Sequence, residues 1–157
     1  MGLVVVVMIG IGTALAVSYR HKEQAIILNP LNASYAIEGE QVQLLNGRAE
    51  QITIFGSPIE GDVNQDGRSD AALILASNLG GSGTFYYIVA AINTPQGIVG
   101  TNAIFLGDRI APQTLSIENG KILVNYAERR ADEPMTTPPS VGVSKYLMVE
   151  CLRLKYL

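Results

Sequence analysis

Beyond residue 32 the chain alternates short apolar runs with clusters of Gly, Asn, Asp and Pro, and nowhere sustains a helical period. Residues 33–37 and 41–45 flank Glu38-Gly39-Glu40, and Asn46-Gly47 then leads into 48–55, where Ile52 and Ile54 alternate with Thr53. Asn-Gly is a hairpin signal because both central positions of a type I′ turn need positive φ. Residues 71–76 are apolar throughout, the signature of a strand buried on both faces. The run 84–93 (TFYYIVAAIN) has the aromatic and β-branched content of a strand, and Thr94-Pro95-Gln96-Gly97 turns it into 98–106. A second Asn-Gly, Asn119-Gly120, joins 115–118 to 121–126, where Ile122, Val124 and Tyr126 should share one core-facing side. A proline-stiffened loop over 127–142 precedes the last strand, 143–152. Eight or nine strands at about 8–12-residue spacing predict an all-β domain, a mainly antiparallel sandwich or meander.

The first residues break this pattern. Residues 2–19 (GLVVVVMIGIGTALAVSY) carry no charge and end at Arg20-His21-Lys22, which predicts one hydrophobic helix serving as a signal anchor. Its alternative is a signal peptide cut after Ala16, since Ala14-Leu15-Ala16 has the A-x-A form. The expected organisation is therefore leader 1–19, juxtamembrane connector 20–32 and a single β-rich domain over 33–157. Arg20 and Lys22 behind the leader would by themselves hold the body in the cytoplasm. A calcium-type loop suits the calcium-rich exterior, and the expectation is a single-pass protein of the cytoplasmic membrane with its body on the extracytoplasmic side.

Charge narrows the partners. Without Arg20 and Lys22 the chain has nine basic against fourteen acidic residues and no Lys/Arg block. That balance argues against nucleic acid, whose phosphates need clustered positive charge. The expected partners are the membrane, through the leader, and an envelope protein or glycan ligand. The single cysteine, Cys151, excludes an intrachain disulfide and a multi-cysteine zinc site, and its place in a strand-like run predicts a small buried hydrophobe.

Ligand chemistry is concentrated in GDVNQDGRSDAALIL, residues 61–75. Asp62, Asn64 and Asp66 alternate, Gly67 supplies a sharp turn, Arg68 would offer its carbonyl, and Asp70 follows before the apolar run. Calcium takes six to eight oxygens, and this register matches the first nine positions of an EF-hand loop. The twelfth position is Leu73, not glutamate, and the exit is a strand, so a helical sensor is not expected. Three carboxylates within nine residues repel one another unless a cation joins them. An Asp/Asn/Gly-rich turn holding no ion is the alternative.

The longer stretch IFGSPIEGDVNQDGRSDAALIL resembles the FG-GAP repeat of integrin-type β-propellers, through Phe55, Gly56, Gly61, Asp62, Asn64, Asp66, Gly67 and Asp70. The resemblance implies calcium bound between two strands by Asp62, Asn64, Asp66, the Arg68 carbonyl and Asp70. It spans about 22 residues, and with no second copy a propeller of at least four blades is excluded. Four segments, GDVNQDGRSD, GGSGTFYYIVAAINT, GTNAIFLGDRIAPQT and NYAERRADEPMTTPPSVGVSKYL, together resemble small bacterial proteins of uncharacterised activity with one N-terminal anchor. That resemblance implies an exported small domain and no mechanism.

Catalytic constellations are poorly supplied. His21, the only histidine, lies beside the leader, too far from the body for a Ser-His-Asp arrangement. Ser82 in Gly80-Gly81-Ser82-Gly83-Thr84 lacks the second glycine of a nucleophile elbow, which makes the stretch a glycine-rich connection. Asp108, Glu128, Asp132 and Glu133 have arginines beside or near them in sequence, which favours surface ion pairs. No catalytic residue is assigned. The expected function is a non-enzymatic binding or structural domain with one calcium site; the alternative is an envelope hydrolase using loop carboxylates.

Overall fold

The computed structural model describes residues 28–78 and 80–157. The leader, its expected helix, most of the connector and His21 lie outside the described residues. Among the described residues no helix is long and apolar enough to cross a membrane.

The domain is all-β and antiparallel, as the sequence pattern predicts. A 3₁₀ turn over Pro30–Asn32 precedes β1 (Ser34–Ile37) and β2 (Glu40–Gln43), which form a hairpin. The strands β3 (Arg48–Ala49), β4 (Ile52–Gly61), β5 (Asp70–Ser77), β6 (Phe85–Thr94) and β7 (Gly97–Gly100) pair in chain order. With β8 (Ile104–Asp108) alongside β6 they make a six-stranded sheet. The strands β9 (Ala111–Glu118), β10 (Lys121–Glu128), β11 (Val141–Glu150) and β12 (Arg153–Tyr156) make a four-stranded one.

Two cores follow from this arrangement, one on each face of the larger sheet. Ile74, Ile88 and Ile92 meet Ile122, Val124, Tyr126 and Leu147 between the sheets. On the opposite face Leu73, Leu75 and Val89 pack beneath the β1–β2 hairpin through Tyr35, Ile37 and Leu44. This explains why 71–76 is apolar at every position. Alternate side chains of β5 enter different cores, and 71–75 are all buried. Each fully buried Leu or Ile contributes about 1.5–3 kcal/mol, and β5 and β6 supply Leu73, Leu75, Ile88 and Ile92.

The connector does not stand apart from the domain at its end. Leu28 packs on the second core, Pro30 is buried, and the Tyr35 hydroxyl donates to the Pro30 carbonyl at 2.7 Å.

Three expected strands are broken. Residues 48–55 reverse at Glu50 (φ 34°), which splits off β3. Residues 98–106 divide into β7 and β8 around Thr101, whose buried hydroxyl accepts the Ala90 N–H. The last run reverses at Cys151 and Leu152, with φ of 49° and 61°, to give the extra strand β12. Cys151 is therefore exposed at a turn tip and not a buried hydrophobe. The two Asn-Gly pairs do form positive-φ turns, Asn46-Gly47 between Leu45 and Arg48 and Asn119-Gly120 between β9 and β10.

Candidate metal-binding loop

β4 and β5 are antiparallel partners that end on the pair Gly61↔Asp70, and the candidate ligands occupy the connection between them. Gly61 lets this connection lie against the other sheet, since a Cβ there would stand 2.9 Å from the Ile117 side chain. Gln65 (φ 61°) and Gly67 (φ 84°) turn the backbone tightly. Val63 points inward and is buried in the core between the sheets, which pins the middle of the loop.

Tight turning aims backbone N–H groups at the acidic side chains. Asp62 accepts from Asp66 N at 3.1 Å and from Gly67 N at 2.8 Å. Asn64 accepts from Asp66 N at 3.2 Å and donates from Nδ2 to Asp66 Oδ2 at 2.8 Å. Asp66 accepts from Arg68 N at 2.9 Å and is salt-bridged by the Arg68 guanidinium. Asp62, Asn64 and Asp66 are thus brought together as the sequence spacing predicts. Asp70 lies below them, fully buried, accepting from Val63 N at 3.1 Å and Asn93 N at 2.8 Å.

The two latter aspartates sit in opposite electrostatic settings. Partial burial pushes the Asp66 pKa up, but the Arg68 N–H, the Asn64 amide and the Arg68 charge outweigh it and hold it below the ordinary range. For Asp70 burial is the largest influence and raises the pKa; the Asn93 and Val63 N–H groups oppose it, and the Asp66 and Asp62 charges add to the rise. Asp70 is a buried carboxylate with two backbone hydrogen bonds and, among the described residues, no cation paired to it. Burying a charge in that condition is costly.

The donor chemistry fits calcium in kind: hard oxygens and no sulfur or imidazole. A carboxylate has about four lone-pair positions, and the hydrogen bonds at Asp62 and at Asp70 use two on each residue. The convergence is incomplete, because no three Asp, Glu, His or Cys side chains among the described residues close on one point. Metal coordination by this loop would need the Asp66 carboxylate to share or release the Arg68 guanidinium.

Sequence spacing missed what fastens the loop. Arg68 Nε donates to the Asn93 carbonyl at 2.6 Å, and Asn93 N binds Asp70, so Asn93 latches the loop through both backbone groups. Gln65 Nε2 donates to the Asn119 carbonyl at 3.0 Å, reaching the β9–β10 turn of the other sheet. Both latches use main-chain groups, which leave no mark on residue type. The loop thereby ties the two sheets together at one end of the sandwich.

The remaining acids are placed differently. Asp108 is ion-paired to Arg109 at 2.7 Å, and Glu133 to Arg130 at 3.2 Å. Arg129 instead donates to the carbonyls of Asp108, Arg109 and Thr137, fixing the 129–140 loop to the end of β8. Hydrogen bonds from Arg109, then the Thr84 N–H and the charges of Arg109 and Arg129, hold the Asp108 pKa down against its partial burial. Asp108 and Glu133 border one shallow cleft, each engaged by its own arginine and not by the other.

Comparison with known proteins adds no assignment: no family model, no curated protein and no solved structure matches the chain.

Proposed function

We propose that this chain is a membrane-tethered extracytoplasmic β domain whose 61–70 loop carries one structural calcium site, with a binding or structural role in the cell envelope. The observation that carries the metal assignment is the charge imbalance in a loop of fixed geometry. Among the described residues Arg68, paired to Asp66, is the one cation salt-bridged to Asp62, Asp66 or Asp70, and Asp70 is fully buried. Calcium would be held by Asp62, Asn64, Asp66, the Arg68 carbonyl and Asp70, and it would supply the missing positive charge. The loop already joins β4, β5, the end of β6 and the β9–β10 turn. An ion there stabilises the contact between sheets, because a ligand that binds only the folded state favours it by mass action. Tethering is supported by the uncharged run 2–19.

Chelation tests the metal assignment. EDTA should lower the melting temperature of the calcium-loaded full chain, and Asp66→Ala with Asp70→Ala should abolish the response to added calcium. A melting temperature indifferent to EDTA and to calcium would remove the ion from the account. Protease accessibility of the body in intact spheroplasts tests its side: cleavage is expected, and full protection would place the body inside.

A further inference from the structure

The β1–β2 hairpin covers one face of the six-stranded sheet, and a cleft lies between it and edge strand β7. Backbone bonds fasten the hairpin to the segment between β7 and β8. Ala36 pairs parallel with Asn102, Ala36 N donates to the Thr101 carbonyl at 3.1 Å, and Ala103 N donates to the Ala36 carbonyl at 2.7 Å. At Gly100 there is no room for a side chain, since a Cβ would stand 2.0 Å from the Ser34 carbonyl oxygen. Beside that contact lies a shallow groove of about 450 Å³.

Among the described residues the lining includes no charged side chain, and unlike a second uncharged cleft, which is walled by Phe55, Ile59, Ile74 and Leu115, it is rich in amides. Asn29, Asn32, Ser34, Gln41 and Gln43 supply uncharged polar groups, and Val99 of β7 is 37% exposed on the other side. Much of the polar wall is fixed in advance. Ser34 Oγ donates to Gln43 Oε1 at 2.6 Å, and Gln43 Nε2 donates to the carbonyls of Asn32 and Leu44 at 2.9 and 2.8 Å. Asn32 Nδ2 donates to Asn29 Oδ1 at 3.2 Å, and Asn32 Oδ1 accepts Asn46 N at 3.0 Å. Groups held this way lose little freedom on binding a ligand. The Gln41 carboxamide and Asn29 Nδ2 belong to the lining and make no hydrogen bond among the described residues.

A carboxamide offers a donor and an acceptor side by side, which suits vicinal hydroxyls that both donate and accept. The exposed Val99 suits the C–H face of a pyranose ring. An ionic ligand would find no counter-charge here. An extended peptide would have only the four residues of β7 to pair with, the last crowded by Ser34. We infer that the cleft between the β1–β2 hairpin and β7 binds a neutral, polyhydroxylated ligand, a glycan, with Gln41 and Asn29 as its hydrogen-bonding groups. The cleft shares no residue with the 61–70 loop, so separate amides read metal binding and ligand binding.

The test is an NMR titration of the isotope-labelled full chain in a non-glycosidic detergent. The probes are the β-1,4-linked N-acetylglucosamine trimer, cellotriose, maltotriose and, as a neutral peptide, trialanine. At least one saccharide should give saturable shifts confined to residues 29–34, 41–43 and 98–100. Gln41→Ala, on an exposed hairpin position, should weaken that binding roughly three- to tenfold, the value of one hydrogen bond. Val99→Asp should weaken it further. The inference is overturned if no saccharide moves these amides, if trialanine moves them in place of the sugars, or if the two substitutions leave the affinity unchanged.

Discussion

The 61–70 and 129–140 loops are both irregular and both rich in charge, but they dispose of that charge in different ways. In 129–140 Arg129 and Arg130 stand against Asp132 and Glu133, and an arginine–glutamate pair with three arginine–carbonyl contacts holds the loop. In 61–70 three aspartates stand against Arg68 alone, and one of the three is fully buried. The first loop is electrostatically complete. The second is folded by backbone N–H groups donating to carboxylates, which fixes their geometry and leaves negative charge over. A loop of the second kind suits the cation proposed for it, whereas the first is an anchor.

Breaking the buried member of the 61–70 loop should have the largest effect. Asp70→Ala leaves the Val63 and Asn93 N–H groups without acceptors in a buried setting, an expected loss of roughly 2–4 kcal/mol. Asp70→Asn keeps one acceptor oxygen and should lose less; urea unfolding of the two variants checks the order. The arginines of the second loop should separate by function. Arg129→Ala removes three hydrogen bonds to carbonyls and should cost about 1–2 kcal/mol. Arg130→Ala removes only an exposed ion pair and should stay within about 0.5 kcal/mol by the same measurement. Equal losses at Arg129 and Arg130 would erase the distinction between an anchor and a surface charge.

The smallest effect concerns pH. The folded-state pKa of Asp108 lies below its ordinary 3.8, chiefly through hydrogen bonds from Arg109. Its contribution is therefore complete above the unfolded-state value and is lost as pH falls through the folded-state value. The stability difference between the native chain and Asp108→Asn should be constant near neutrality and shrink below about pH 4. A difference that grows on acidification would show that Asp108 is not held ionised by its arginines.

Much of the architecture was legible because local chemistry demanded it. Asn46-Gly47 and Asn119-Gly120 turn where positive φ is needed, and the unbroken apolar run of β5 announces a strand between two cores. Asp62, Asn64 and Asp66 were legible for the same reason, as oxygens at every second position. The turn at Cys151 and Leu152 was not, because neither residue favours positive φ, and tertiary pairing of β11 with β12 imposes it. The covering of one sheet face by β1 and β2 was hidden as well, since that contact joins segments distant in sequence. At the loop, residue spacing named the oxygens but gave no sign that Asp70 is buried beneath them or that Asn93 holds it through its main chain.

Isothermal titration of calcium into the EDTA-stripped full chain, with melting curves on the same samples, tests the central claim most directly. One ion per chain should bind, the Asp66→Ala, Asp70→Ala double variant should bind none, and stabilisation should grow with calcium. At about a hundredfold excess over Kd the gain is about 2.7 kcal/mol, a rise of ~10 °C for a domain of this size. An absence of binding heat together with an unmoved melting temperature would contradict it, and would leave Arg68 as the only cation the loop requires.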